Sequence, residues 1–120
     1  MERQIRFYRT KDGKCPLEDF LDELLPKDAQ KILWVLRLIE RMGHVSGKYF
    51  KKLVNTDDIW ECRVSSGSRT YRIFGFFLGR GMIILTHGYS KKTQKTSPRE
   101  IQRAEALKKD FLDRQKGGRK

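Results

Sequence analysis

The sequence predicts a single α+β domain, in which short strands joined by tight turns make an antiparallel sheet with helices packed on it. Three observations carry that prediction. Prolines 16, 26 and 98 each stand where an apolar stripe of helical spacing begins. Four short strand-like runs between residues 49 and 89 are separated by small turn clusters. A length of 120 residues allows one modest core, with helices on one side of a sheet about the limit.

Residues 3–9 alternate well enough for a first strand, and Thr10-Lys11-Asp12-Gly13-Lys14 turns the chain. Pro16 opens a short helix, with Glu18 and Asp19 at its positive end and an apolar stripe of Leu17, Phe20, Leu21, Leu24 and Leu25. Pro26 stops that helix and starts another, which runs to about Met42 and is capped by Gly43. Its stripe of Ala29, Ile32, Val35, Leu36, Ile39 and Met42 is widened by Leu33, Trp34 and Leu38, so deep packing is expected. These two helices should form a hairpin covering one face of the sheet.

Residues 43–48 are a loop whose His44 is read as solvated. Strands follow at 49–54, at 59–65 with Trp60, Cys62 and Val64 facing one way and Glu61 and Arg63 the other, at 69–78, and at 82–89. Asn55 to Asp58, Ser66-Gly67-Ser68 and Gly79-Arg80-Gly81 are the turns between them. Ser97-Pro98-Arg99-Glu100 has the form of a capping box and begins a last helix. Its inner side is Ile101, Ala104, Leu107, Lys108 and Phe111. The order is β-α-α-β-β-β-β-α, with one domain over 1–114 and a basic, flexible tail over 115–120.

The 27 Lys and Arg against 15 Asp and Glu give a formal charge of +12. Residues 91–120 hold 11 of the cations and 4 of the anions, hence +7 of that total. Such a cationic stripe releases counterions on a polyphosphate, which points to a nucleic-acid partner. Cys15 and Cys62 match no metal spacing, the start is polar, and no apolar run approaches the ~20 residues of a membrane span. A cytoplasmic chain with reduced thiols, no membrane contact and no cofactor is expected.

Strand periodicity places Arg63 and Arg72 on the side away from Val64, Tyr71 and Ile73. His87 falls in phase with Ile83 and Leu85 at the end of the last strand. If the sheet pairs in order, Arg63, Arg72 and His87 meet near one end, with Lys91, Lys92 and Lys95 hanging over it. Those groups suit metal-free RNA cleavage. Guanidinium forks hold the phosphate, a histidine titrating near neutrality moves protons, and a lysine crowded by other cations can do the same. Tyr89 would stack or hydrogen-bond, and Arg69 would add an RNA-binding cation. Each residue also has an ordinary reading. The arginines and lysines can be solvated surface groups, His87 a hydrogen-bonded structural histidine, and Tyr71, Phe74, Phe76 and Phe77 core packing rather than a stacking stripe.

Three segments carry a resemblance: Pro16 to Leu21, Ile59-Trp60-Glu61-Cys62-Arg63-Val64, and Tyr71-Arg72-Ile73 followed by Leu85-Thr86-His87-Gly88-Tyr89-Ser90-Lys91-Lys92-Thr93-Gln94-Lys95-Thr96. Over residues 3–112 the chain resembles the HigB branch of the RelE/ParE toxin–antitoxin superfamily. The resemblance implies a RelE-like, microbial-ribonuclease type of fold. It implies a toxin that cuts messenger RNA in the ribosomal A site, without metal, through a 2′,3′-cyclic phosphate. The implied partners are that messenger RNA, ribosomal RNA and a HigA-like helix-turn-helix antitoxin. Matching positions assign Arg63, Arg72, His87, Lys91, Lys92 and Lys95 to the RNA and its scissile phosphate, with His87 and a loop lysine moving protons. One departure is Thr96-Ser97-Pro98, where the branch has Thr-Pro directly, so the last helix should start a residue later. Some relatives of this fold poison DNA gyrase, and a non-catalytic RNA-binding module would carry the same cations.

Overall fold

The computed structural model describes residues 3–41, 47–91 and 95–117. Their order is β1 (Gln4–Phe7), α1 (Pro16–Asp22), α2 (Pro26–Arg41), β2 (Phe50–Lys52), β3 (Trp60–Ser66), β4 (Arg69–Leu78), β5 (Met82–Lys91) and α3 (Pro98–Gly117). Each helix begins at its proline, whose fixed φ suits the first turn and whose missing N–H costs nothing there. Met42, Gly43 and His44 lie outside the described residues.

The five strands form one sheet in the order β1-β5-β4-β3-β2. From β2 to β5 it is the expected antiparallel meander, but β1 pairs with β5 in parallel, so the sheet is mixed. A two-helix connection is long enough to carry the chain across the sheet, which frees β1 to pair in either direction. The outer margin of β1 is closed by α2: the Glu40 carbonyl accepts the Arg3 N–H at 2.7 Å, and the Glu40 carboxylate accepts the Ile5 N–H at 3.1 Å.

Helices cover both faces, one layer more than expected. The α1–α2 hairpin buries Leu17, Leu21, Ile32, Val35, Leu36 and Ile39 on Cys62, Val64, Tyr71, Ile73, Ile83 and Leu85. On the opposite face α3 packs Ala104, Leu107 and Phe111 against Phe74, Phe76 and Ile84. Tyr71, Phe74 and Phe76 are fully buried, as core packing requires. Cys62 lies deep in the hairpin-side core, where burial pushes its thiol up to about 12. Leu25, Leu33 and Trp34, read as part of the inner stripe, are about half exposed. Helix α2 meets the sheet along one narrow line, so residues flanking Ile32 and Val35 stay in solvent. Helix α3 runs through Gly117, so residues 115–117 of the expected tail are helical.

Candidate active site

The decisive feature of the sheet is a register shift between β4 and β5. Gly75 pairs with Leu85, but Phe74 pairs with His87, so Thr86 is an extra residue in β5. Before this bulge Ile83 and Leu85 face the hairpin. One inserted residue inverts the alternation beyond it. His87 and Tyr89 therefore reach the α3 face, where both rings pack tilted against Phe74 at centroid distances of 5.4 and 5.6 Å. The expected phase of His87 with Ile83 and Leu85 is thus wrong. Strict alternation would have put the ring on the far side of the sheet from Arg63 and Arg72, and the bulge brings it to theirs.

Two rows of partners cross that face. One runs Arg63, Arg72, Tyr89; the other runs Lys51, Glu61, Phe74, His87. Glu61 ties the arginines together. Its Oε1 accepts from Arg63 Nε at 2.7 Å, and its Oε2 accepts from Arg72 Nη1 at 3.3 Å and from the Thr96 hydroxyl at 2.8 Å. Arg72 Nη1 also donates to Thr96 Oγ1 at 2.9 Å. The side chains of Glu61 and Arg72 are each 1% exposed, whereas that of Arg63 is 40% exposed. Beside Glu61 and Arg63 opens a cavity of about 200 Å³ lined by Gly47, Lys48, Tyr49 and Lys51. The Tyr89 hydroxyl accepts the Ser97 N–H at 3.1 Å and so fixes the start of α3 over the site.

His87 is 1% exposed. The Thr86 hydroxyl donates to the Phe74 carbonyl at 3.3 Å and lies 3.2 Å from His87 Nδ1. Which of the two donates follows the ring's tautomer, since the hydroxyl has a single proton to share between the Phe74 carbonyl and Nδ1. Nε2 has no hydrogen-bond partner among the described residues. Glu100 stands 3.6 Å from it, on the first turn of α3. Burial, with the nearby Arg103 charge, pushes the imidazole down to about 4, so the ring is neutral at pH 7 rather than titrating there as expected.

The other expected site residues divide. Lys95 is exposed beside Thr96, at the approach to α3. Lys91 closes β5 opposite Thr70, and Lys92 lies outside the described residues. Arg69 is in phase with Tyr71, on the hairpin side, where its charge acts on Tyr71 and Asp28. It does not join the cationic cluster.

A family model, phage-derived protein Gp49-like (DUF891), matches residues 19–109, three quarters of the chain. The chain belongs to this Gp49-like family. It is a phage-derived, toxin-like family associated with RelE/ParE-like toxins. No curated protein matches the chain.

The matched region contains every residue of the two rows. Glu61, Thr96 and the Lys48–Tyr49–Lys51 wall were not singled out from sequence. Glu61 carried one usable signal: it sits two residues from Arg63, on the same side of a strand.

Proposed function

We propose that this Gp49-like chain is the toxin of a type II toxin–antitoxin pair and a ribosome-dependent messenger RNA endonuclease. The observation that supports this reading best is the Thr86 bulge, which gathers Arg63, Arg72, Tyr89 and His87 on one face beneath the start of α3. A single-sided set of guanidinium, phenol and imidazole groups, on a chain of charge +12, is equipment for a phosphodiester.

In the proposed reaction the 2′-hydroxyl gives its proton to solvent water as its oxygen attacks phosphorus, the P–O5′ bond breaks, a 2′,3′-cyclic phosphate forms, and the 5′-oxygen leaves with a proton. Charge builds on the equatorial oxygens, where Arg63 and Arg72 would stabilise it. The proton for the leaving group comes from the loop lysines, with Lys95 exposed at the rim and Lys92 in the adjoining segment. His87 is a poor donor here. With its imidazole at about 4, roughly one molecule in a thousand is protonated at pH 7. It holds the bulge and the floor of the site. Tyr89 holds the loop through Ser97.

The experiment is primer extension on a translated message after induction, for wild type, Arg63→Ala and Lys95→Ala. Both positions are exposed, so folding survives. New 5′ ends within codons for wild type, reduced at least tenfold in both variants at equal soluble protein, are expected. Growth arrest without new ends, accompanied by a DNA-damage response, would refute the endonuclease and favour a gyrase target.

A further inference from the structure

Arg72 poses a contradiction. The proposed reaction needs it at a phosphate, yet its side chain is 1% exposed and it is bound to Glu61 and Thr96. What the arginines hold is itself informative. Three donors from three chain segments, Arg63 Nε, Arg72 Nη1 and Thr96 Oγ1, converge on the two oxygens of one carboxylate. A planar carboxylate and two oxygens of a phosphodiester present the same charge and the same pair of acceptors to a guanidinium. Glu61 also lines a cavity of about 200 Å³ whose wall adds Tyr49 and two cations, Lys48 and Lys51. Lys51 pairs directly with Glu61 across β2 and β3, so cavity and carboxylate are adjacent in register.

We propose that Glu61 occupies the seat of an RNA phosphate, and that RNA fills this seat from the Lys48–Tyr49–Lys51 cavity by displacing the carboxylate. The proposal rests on the RNA-directed reading above and adds two elements to it. One is a binding subsite for the nucleotide adjoining the phosphate, with Lys48 and Lys51 as cations for its backbone. The other is an internal competitor, present only while RNA is absent. Displacement starts at Oε1, because Arg63 is the partner that solvent reaches. Arg72 then exchanges one anion for another without ever being stripped of charge, which avoids the cost of a lone buried guanidinium. Thr96 moves with the exchange, and it carries the neighbouring Lys95 with it.

The test uses a 2′-O-methyl RNA decamer, which binds but offers no attacking hydroxyl, so cleavage plays no part. Glu61→Gln keeps the shape and removes the competing charge. Its affinity at fixed salt should rise about tenfold, and its log affinity–log salt slope should steepen by about one, because no displaced carboxylate is left to take up a counterion. Lys51→Ala and Arg63→Ala should weaken binding. If Glu61→Gln does not fold, the wild-type protein decides the matter by NMR. Saturating decamer should move the Glu61 side-chain carboxyl resonance to that of a solvated carboxylate and shift the Arg63 Nε–H signal. Unchanged or weaker binding by folded Glu61→Gln, or an unmoved Glu61 resonance at saturation, overturns the proposal while Arg63→Ala still upholds RNA binding. Indifference of the decamer to Arg63→Ala and Lys51→Ala as well overturns both this seat and the RNA-directed reading of the face.

Discussion

Replacing His87 by glutamine isolates the pH dependence that this ring imposes on folding. In the unfolded chain the imidazole takes up its proton near 6.5; in the folded protein burial and Arg103 hold it down to about 4. Above pH 6.5 the ring is neutral in both states, and native stability is intact. As pH falls from 6.5 towards 4 the unfolded chain binds a proton that the folded protein refuses, so stability drops. Below 4 both states are protonated and the loss levels off. At about 1.4 kcal/mol per pH unit, this gap amounts to about 3 kcal/mol. Glutamine can still bond Thr86 but does not titrate, so His87→Gln should lack that loss, whatever its stability at pH 7.5. Urea unfolding of both proteins at half-unit steps from pH 7.5 to 3.5 reads the difference. The wild-type free energy should converge on that of the variant, or cross it, within the 6.5-to-4 window. Parallel curves would refute the reasoning. They would mean that the folded ring titrates where the unfolded one does, with Glu100 at 3.6 Å offsetting the effect of burial.

Arg72→Ala should cost about 3–5 kcal/mol in urea unfolding, because it leaves the buried Glu61 carboxylate short of a partner. Arg63→Ala, at a half-exposed partner of the same carboxylate, should cost no more than about 1 kcal/mol; equal losses would show that the two pairs are not energetically distinct. Gly75→Ala should destabilise by about 1–3 kcal/mol or more. Its Cβ would stand 2.7 Å from the Ile84 carbonyl oxygen and 2.8 Å from Leu85 Cδ2, with backbone unable to yield at the bulge. A melting temperature within a degree of wild type would contradict this. Asp28 is held below its ordinary value by hydrogen bonds from Ser66 and Tyr71. Its stabilisation is therefore complete above pH 4 and lost as pH falls through its folded value. Asp28→Asn should flatten the acid limb below pH 4 without altering the His87 window above it.

Local chemistry made most of the elements legible. Pro16, Pro26 and Pro98 mark the three helix starts, and Gly67 and Gly79, both at positive φ, mark the hairpin turns of the meander. The direction of β1 was not legible, since a strand separated from its partner β5 by two helices and three strands carries no local sign of how it pairs. Trp34 and Leu33 misled because apolar spacing gives a stripe but not its width in contact. At the site, alternation placed Arg63 and Arg72 correctly, both strands being regular up to the bulge. It failed at His87 because a bulge is decided by pairing across the sheet: Thr86 looks like any strand residue in sequence. Glu61 escaped notice for a related reason. A carboxylate beside a cationic strand reads as ordinary surface until the neighbouring strands show it buried between two guanidinium groups.

The closure of β1 by Glu40 bears on how the molecule behaves at high concentration. Exposed strand margins invite other chains to add on, and proteins commonly blunt them with charge or brevity. Here a carboxylate from α2 occupies the amide of Ile5, so the margin offers a poor template. The opposite margin, β2, is three residues long and carries Lys51 and Lys52. Self-association by strand addition is discouraged at either side, and Glu40→Ala is the change that would reopen the first.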